Sequence, residues 1–295
     1  MRGIAADLAH ALREIVAPQL GSGRAHAGTS AGGDVTFAID AEAEAFLEGW
    51  VAANAPGVAF YSEDRGMVGE GAWVLIVDPI DGTRPALAGL EAACTSVALA
   101  PLGDGEPTMG DVVEGAVVEI KSGEWFAAAR GEGCRASKPI APSANTDIER
   151  LFWVYGFTRR PARAVVEVIG ELIDRSSLGG GVFDLGSATF NLTRILTGQL
   201  DAYVEPGARM VAEIPGMREE FARVGGGHIV NNSRRTTWRP PRCVSRRAER
   251  SSPTPRAGHS RPTGCSAPDR SSTSPAWRPV RPPSIGCLSR PWNGA

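Results

Sequence analysis

The chain has no run of about 18 apolar residues, so no transmembrane helix is expected. No apolar segment follows its first charges. The opening M-R-G-I-A-A-D-L-A-H-A-L-R-E-I scatters charge throughout and reads as an amphipathic helix, not a signal peptide. Five cysteines occur without paired spacing, which argues against a disulfide framework and against a zinc site. His10, His26, His228 and His259 fit no metal or triad arrangement, and there is no internal repeat. These absences point to a cytoplasmic protein with no membrane partner. The 42% hydrophobic and 22% charged content is that of an ordinary globular protein, and 295 residues suffice for one large core or two modest ones.

Charge is unevenly placed. Residues 1–233 carry 18 basic against 31 acidic side chains, whereas residues 234–295 carry 13 arginines, no lysine and only two acids, Glu249 and Asp269. The same 62-residue tail holds 11 of the 22 prolines and three of the five cysteines. Such a composition is poor for packing a core.

Before the tail, periodicity marks the elements. Ile4, Leu8, Leu12 and Ile15 share a helical face over 3–17. Pro18 and G-S-G-R-A-H-A-G-T-S-A-G-G end that helix and form a loop. A second helix starts at Asp40 with Phe46, Leu47, Trp50 and Val51 as its apolar side. Strands are expected at Val58–Tyr61, Trp73–Val77, Thr95–Ala100, Gly115–Ile120, Trp125–Ala129 and Leu151–Tyr155, with K-S-G-E as a hairpin turn. A helix from Pro161 should bury Val165, Val168, Ile169 and Leu172. V-F-D-L-G reads as a strand. S-A-T-F-N-L-T-R-I-L-T-G then reads as a helix capped by Ser187 and closed by Gly198, with a last strand over Leu200–Glu205. The mixed order implies an α+β fold layered around a sheet.

The apolar strand Trp73–Val77 runs into D-P-I-D-G-T, which places Asp78 and Asp81 three residues apart around a proline. At ~4 Å two unit charges repel by roughly 4 kcal/mol at an effective dielectric of about 20. A divalent cation converts that repulsion into a binding site, and carboxylate and carbonyl oxygens suit Mg²⁺. Pro79 limits the backbone between the acids, Ile80 offers a carbonyl, and Gly82 permits a tight turn whose following amides face an anion if a helix begins there. The plainer alternative is an acidic turn after a strand. Glu63 at the end of the preceding strand, and Asp34 and Asp40 around the second helix, weigh against it. Thr83 suits a helix cap as well as a chemical role, Ser187 reads as a cap and not a nucleophile, and Asp184 and Asp201 read as turn or surface acids. Cys94 and Cys134 read as buried or loop thiols.

V-D-P-I-D-G-T, with G-D-V-T-F-A-I-D upstream and F-Y-S-E-D between them, resembles the inositol monophosphatase family of Mg²⁺-dependent, lithium-sensitive phosphatases. So do the later L-G-S-A-T-F-N-L-T-R-I-L-T-G-Q-L-D-A-Y-V-E and R-G-E-G-C-R-A-S-K-P-I, the latter as a loop after a hairpin. The resemblance covers about residues 3–233. It implies a layered αβαβα sandwich of the inositol monophosphatase/fructose-1,6-bisphosphatase type, often a homodimer. The expected parts are an N-terminal metal-binding subdomain over 1–140 and a partial substrate-side subdomain over 141–233. It further implies that Glu63, Asp78, Asp81 and the Ile80 carbonyl hold two Mg²⁺ ions, with Asp40 near a weaker third. Glu63 and Thr83 would position and help deprotonate a water. Gly82 and Thr83 would hold the phosphate, while Gly186, Ser187, Ala188 and Glu205 meet the alcohol of a small polyol or sugar phosphate. Fructose bisphosphate, histidinol phosphate and nucleotide 3′-phosphates are alternative substrates. A non-catalytic phosphate-binding protein is the alternative of another class.

The resemblance breaks at residue 234. A further aspartate in a W-D-V-A or Y-D-V-A setting is expected, yet the chain reads R-R-T-T-W-R-P-P-R-C. Pairing the third base of each codon from Arg234 onward with the next two permits P-Y-D-V-A-A-A-A-V. Its first alanine is forced by the single Trp238 codon if Arg239 uses a CGN codon. Glu249–Pro255 likewise permits A-V-V-T-D-A. The tail therefore reads as out of frame, disordered and costly to the second subdomain, exposing Leu192, Ile195 and Leu196 unless it covers them. The chain as written is expected to bind its second metal weakly and to be unstable or inactive. A basic nucleic-acid arm is the rival reading, disfavoured by the missing lysine and sparse aromatics.

Overall fold

The computed structural model describes residues 3–21, 26–29, 35–103, 105, 107–227 and 229. The basic tail, with the frame reading built on it, and Asp34 lie outside the described residues, as does His228. Helix α1 (Ile4–Val16) buries Ile4, Leu8 and Leu12 as the periodicity expects, with Val16 buried in place of the half-buried Ile15. Two short strands pair antiparallel, β1 (His26–Thr29) inside the stretch read as loop and β2 (Val35–Phe37) just after it. Helix α2 (Ala38–Asn54) starts two residues before Asp40.

A seven-stranded sheet follows. In chain order it comprises β3 (Ala59–Ser62), β4 (Gly66–Val68), β5 (Trp73–Asp81), β6 (Cys94–Pro101), β7 (Glu114–Glu119), β8 (Trp125–Ala129) and β9 (Gly133–Ala136). Their spatial order is β4-β3-β5-β6-β7-β8-β9, with β3 and β5 parallel and every other pair antiparallel. The five-residue helix α3 (Thr83–Leu87) leaves the end of β5. R-G-E-G-C-R-A, read from sequence as a loop, supplies edge strand β9, because Gly131 and Gly133 take positive φ and turn the chain back along β8. Strand β5 also runs four residues beyond the expected Val77. Its pairing with β6 slips between Asp78 and Asp81, and Pro79 occupies that irregularity, where no ladder N–H is required of it.

Strand alternation divides the large sheet into two apolar faces. Leu75, Val77, Val97 and Leu99 pack against α1 and α2, while Val74, Ala98, Ala100 and Val117 face the other way, toward Phe190. Phe190 belongs to α5 (Ala188–Leu196), whose nine residues are all buried. A three-stranded parallel sheet of order β11-β10-β12 closes the far side of α5. Its strands are β10 (Phe152–Val154), β11 (Gly181–Phe183) and β12 (Ala202–Tyr203). Val154 on β10 packs with Leu192, Ile195 and Leu200. Trp153 and the following Tyr155 point oppositely, into a cluster with Val165 and Ile169 of α4 (Ala162–Ser176), Met210 of α6 (Gly207–Glu213) and Phe221 of α7 (Met217–Val224). The layers thus run helix, sheet, helix, sheet, helix, as the αβαβα reading expects. Leu192, Ile195 and Leu196 are not laid bare. They sit between the two sheets, with Leu196 fully buried.

One helix face differs from the spacing. Val165 is fully buried, but Val168 is 46% exposed, because α4 turns Val165, Ile169 and Leu172 inward and places Val168 on the rim. Val165→Ala is expected to cost about 1.5–3 kcal/mol and Val168→Ala less than about 0.5 kcal/mol. Urea unfolding of the two variants checks the difference, and equal losses would contradict this packing.

Candidate active site

Three loops meet at the end of β5. The parallel register pairs Ser62 with Val77, so the next residue of each strand is Glu63 and Asp78. Asp78 accepts a hydrogen bond from the Ile80 N–H at 3.2 Å, and the Pro79 carbonyl accepts one from the Thr95 hydroxyl at 3.0 Å. Burial raises the Asp78 carboxyl well above its ordinary value of 3.8. The carboxylates of Asp81, Glu63 and Asp40 raise it further, and only the Ile80 N–H opposes them. Three other acids therefore lie near enough to act on the charge of Asp78.

Thr83, at the start of α3, carries a hydroxyl with a single proton and two acceptors in reach, Asp40 Oδ1 at 3.2 Å and the Ile80 carbonyl at 3.1 Å. Asp40 also holds the first turn of α2, its Oδ2 accepting from the Phe37 N–H at 2.9 Å. Asp81 is held by the start of α5. Its Oδ2 accepts from the Ser187 hydroxyl at 2.8 Å and from the Thr189 N–H and hydroxyl at 2.5 Å each, and its Oδ1 accepts from the Ala188 N–H at 3.4 Å. A carboxylate at a helix N-terminus is stabilised by the unpaired amides there. Ser187 also caps α5 as expected, accepting from the Phe190 N–H at 3.1 Å.

Two glycines allow this approach. Gly82 has φ +95°, and a Cβ there would lie 2.5 Å from the Ala92 carbonyl oxygen and 2.8 Å from Ser187 Cβ. Gly186 has φ +78°, and its Cβ would meet Pro85 at 2.8 Å. The two sequence motifs are pressed together at positions where only glycine fits.

Not every sequence-derived residue joins the group. Glu205 is interior, its side chain 2% exposed. It accepts from Arg160 Nη2 at 2.7 Å, the Gly207 N–H at 3.1 Å and the Tyr203 hydroxyl at 3.4 Å. Asp184 closes its own turn through the Gly186 N–H at 3.1 Å, and Asp184 and Asp201 tie distant segments by accepting from the Phe157 and Phe152 N–H groups at 2.9 and 2.8 Å. Burial pushes the Cys94 thiol up, and the Asp81 and Glu119 charges add to the effect. Sequence reasoning missed Thr189, Arg160 and Glu44. Glu44 is 3% exposed, and burial pushes its carboxyl up to about 7. Its signal was its spacing, four residues after Asp40 on the apolar side of α2.

Oxygen donors of this kind, carboxylates and one carbonyl, are those a hard divalent cation takes. Among the described residues no three His, Cys, Asp or Glu side chains gather closely enough to hold a metal ion. The residues fit such an ion in chemical kind.

Two outcomes are expected. The raised Asp78 pKa means that the folded chain holds this proton above pH 3.8, where the unfolded chain releases it, so stability is lost as pH rises through the folded value. In chelator, Asp78→Asn should therefore be more stable than the parent at pH 8, and the two should converge as pH falls toward 3.8. Urea titrations at both pH values check this. Glu205→Gln should cost about 3–5 kcal/mol by stranding the Arg160 charge in the interior, read from the same titrations.

The model of the inositol monophosphatase family matches residues 1–212. The inositol-1-monophosphatase of Mycobacterium leprae is 30% identical over 189 residues, 58% of this chain and 60% of that protein. The Nus factor SuhB of Xylella fastidiosa is 27% identical over 180 residues, 60% of this chain and 61% of that protein. The chain thus spans about three fifths of these two relatives. It spans 84% of the fructose-1,6-bisphosphatase/inositol-1-monophosphatase of Methanothermobacter thermautotrophicus, at 26% identity over 79% of itself. The fold is shared with the extragenic suppressor protein suhB of Bartonella henselae, with TM-score 0.57, 20% identity, and coverage of 76% of this chain and 84% of that one. An IMPase of Thermotoga maritima also shares it, with TM-score 0.54, 22% identity, and coverage of 67% and 73%. With its strand-end acids, its glycine-tight loops and its five layers, this chain belongs to the inositol monophosphatase family.

Proposed function

We propose that the chain hydrolyses phosphomonoesters of a small polyol or sugar with Mg²⁺ bound at the end of β5. The observation that supports this most is that Asp81, Glu63 and Asp40 all act on the buried Asp78 carboxyl where β5 ends. Glu63, Asp78, Asp81 and the Ile80 carbonyl would hold two ions, with Asp40 beside a third. When bound, the cations supply charge neutralisation and make water more acidic. The protein's own groups do the rest. Thr83 is the proton acceptor for the attacking water, passing its own proton toward Asp40 Oδ1 at 3.2 Å. Glu63 orients that water from the opposite turn. The water oxygen bonds to phosphorus in line, the ester P–O bond breaks, and the departing alkoxide takes a proton from solvent. No covalent enzyme intermediate is required. Gly82 and Thr83 border the phosphate position, and Gly186, Ser187, Ala188 and Glu205 lie toward the alcohol. In Glu205 the Arg160 pairing makes that role indirect, through the shape of the wall and not through an open carboxylate.

This reading places the protein in the cytoplasm as a homodimer acting on a small phosphate ester, with 1–140 carrying the metals and 141–233 the substrate wall. Among the described residues no helix is long and apolar enough to cross a membrane. The name of the Methanothermobacter relative joins two activities, which favours testing fructose bisphosphate beside inositol phosphate. A second reading, phosphate binding without turnover, is favoured by the hold of α5 on Asp81.

Phosphate release from inositol monophosphate, fructose bisphosphate, histidinol phosphate and a nucleoside 3′-phosphate, with Mg²⁺ and with chelator, tests the proposal. Mg²⁺-dependent release is expected, and Thr83→Ala and Glu63→Gln should each lower kcat at least about 100-fold without unfolding the chain. Magnesium binding without release from any ester would favour the second reading.

A further inference from the structure

Helix α2 carries three acids one turn apart, Asp40, Glu44 and Glu48, and each meets a different part of the site. Asp40 accepts from Thr83 at 3.2 Å, Glu44 Oε2 accepts from the Ser62 hydroxyl at 2.8 Å, and Glu48 lies 3.7 Å from the Arg65 guanidinium. The outer contact with Arg65 is exposed and contributes little. The middle one is of another kind. Glu44 is 3% exposed and Ser62 fully buried, so neither has water as a ready substitute. Ser62 in turn accepts from the Arg65 N–H at 3.2 Å, which closes the turn bearing Glu63 and Asp64.

We infer that Glu44 is a positioning residue, which through Ser62 fixes the turn that presents Glu63 to the site. The inference deepens the proposed function and rests on the role given there to Glu63. A buried acid on a helix is an expensive way to hold a turn that serves packing alone, since an apolar side chain would fill the space without the desolvation of a carboxyl. Placed here, it couples the Glu63 turn to the same rigid helix that holds Thr83 through Asp40. Both groups assigned to the water are then referenced to one element. Groups that hold metal ligands in place are commonly worth 10–100-fold in affinity.

The test uses the full chain and two readouts. In chelator, hydrogen exchange over residues 62–68 should speed up at least about tenfold in Glu44→Ala and in Ser62→Ala, while Glu44→Gln, which keeps an acceptor oxygen, stays within about twofold of the parent. Calorimetry with MgCl₂ should show both former variants binding about 10–100-fold more weakly and Glu44→Gln restoring most of the loss. Unchanged exchange over 62–68 in folded Glu44→Ala or Ser62→Ala overturns the inference, as does Glu44→Gln behaving like Glu44→Ala. A parent that takes up no magnesium, with the exchange pattern as expected, supports the positioning role and sinks the reading of the site instead.

Discussion

Mutual repulsion among carboxylates at the end of a buried strand is the constraint on which the rest of this structure turns. Strand β5 drives its apolar residues between two helical layers and then delivers Asp78 beside Glu63, Asp81 and Asp40. Such a group is unfavourable in an interior unless something neutralises it. In the structure the relief is partial and comes from the protein itself. Asp81 leans on the amides and hydroxyls that open α5, Asp40 closes α2, and Asp78 has the Ile80 N–H. A divalent cation would supply what these contacts leave uncompensated.

Two helices set the geometry, and they do so by different means. Helix α2 reaches the site through side chains, with Asp40 on Thr83 and Glu44 on Ser62. Helix α5 reaches it through its N-terminus, wedged between the sheets and buried along its whole length. Its polar residues are matched inside. Arg194 pairs with Glu119 of the large sheet and lies over the Phe190 ring, 4.3 Å from the centroid, so α5 is locked to β7 as well as packed on it. The close approaches of Gly82 to Ser187 and of Gly186 to Pro85 then leave little freedom between the two loops. A position assembled from both sheets in this way depends on the small sheet being in place, which links the integrity of β10–β12 to events at β5.

The layers were legible because they follow from period. The helical spacing in α1 and the short, largely apolar runs of β5, β6 and β7 are local properties, and the structure reproduces them. D-P-I-D-G-T and the Ser187 cap were legible for the same reason. What was not legible came from distant partners. Arg160 and Glu205 lie 45 residues apart, and no local signal shows that the guanidinium occupies the carboxylate. Asp81 and Thr189 are 108 apart, so a motif that reads as two acids facing one cation hides the competing helix end. Val168 was assigned to the core by spacing alone, since the direction of α4 over Trp153 and Tyr155 is a tertiary fact. Glu44 was overlooked because an acid amid Ile39, Ala43 and Leu47 reads as a solvated turn of helix until Ser62 is seen opposite it.

The most direct measurement is the melting temperature of the full chain against magnesium concentration, with the parent and Asp78→Asn side by side. An ion that binds only the folded chain raises stability by RT ln(1 + [L]/Kd), about 2.7 kcal/mol at 100 times Kd. The expected result is a rise with the logarithm of magnesium concentration in the parent that is largely lost in Asp78→Asn. A parent whose melting does not respond to magnesium, or a variant that responds equally, would contradict the assignment of the β5 acids as a cation site.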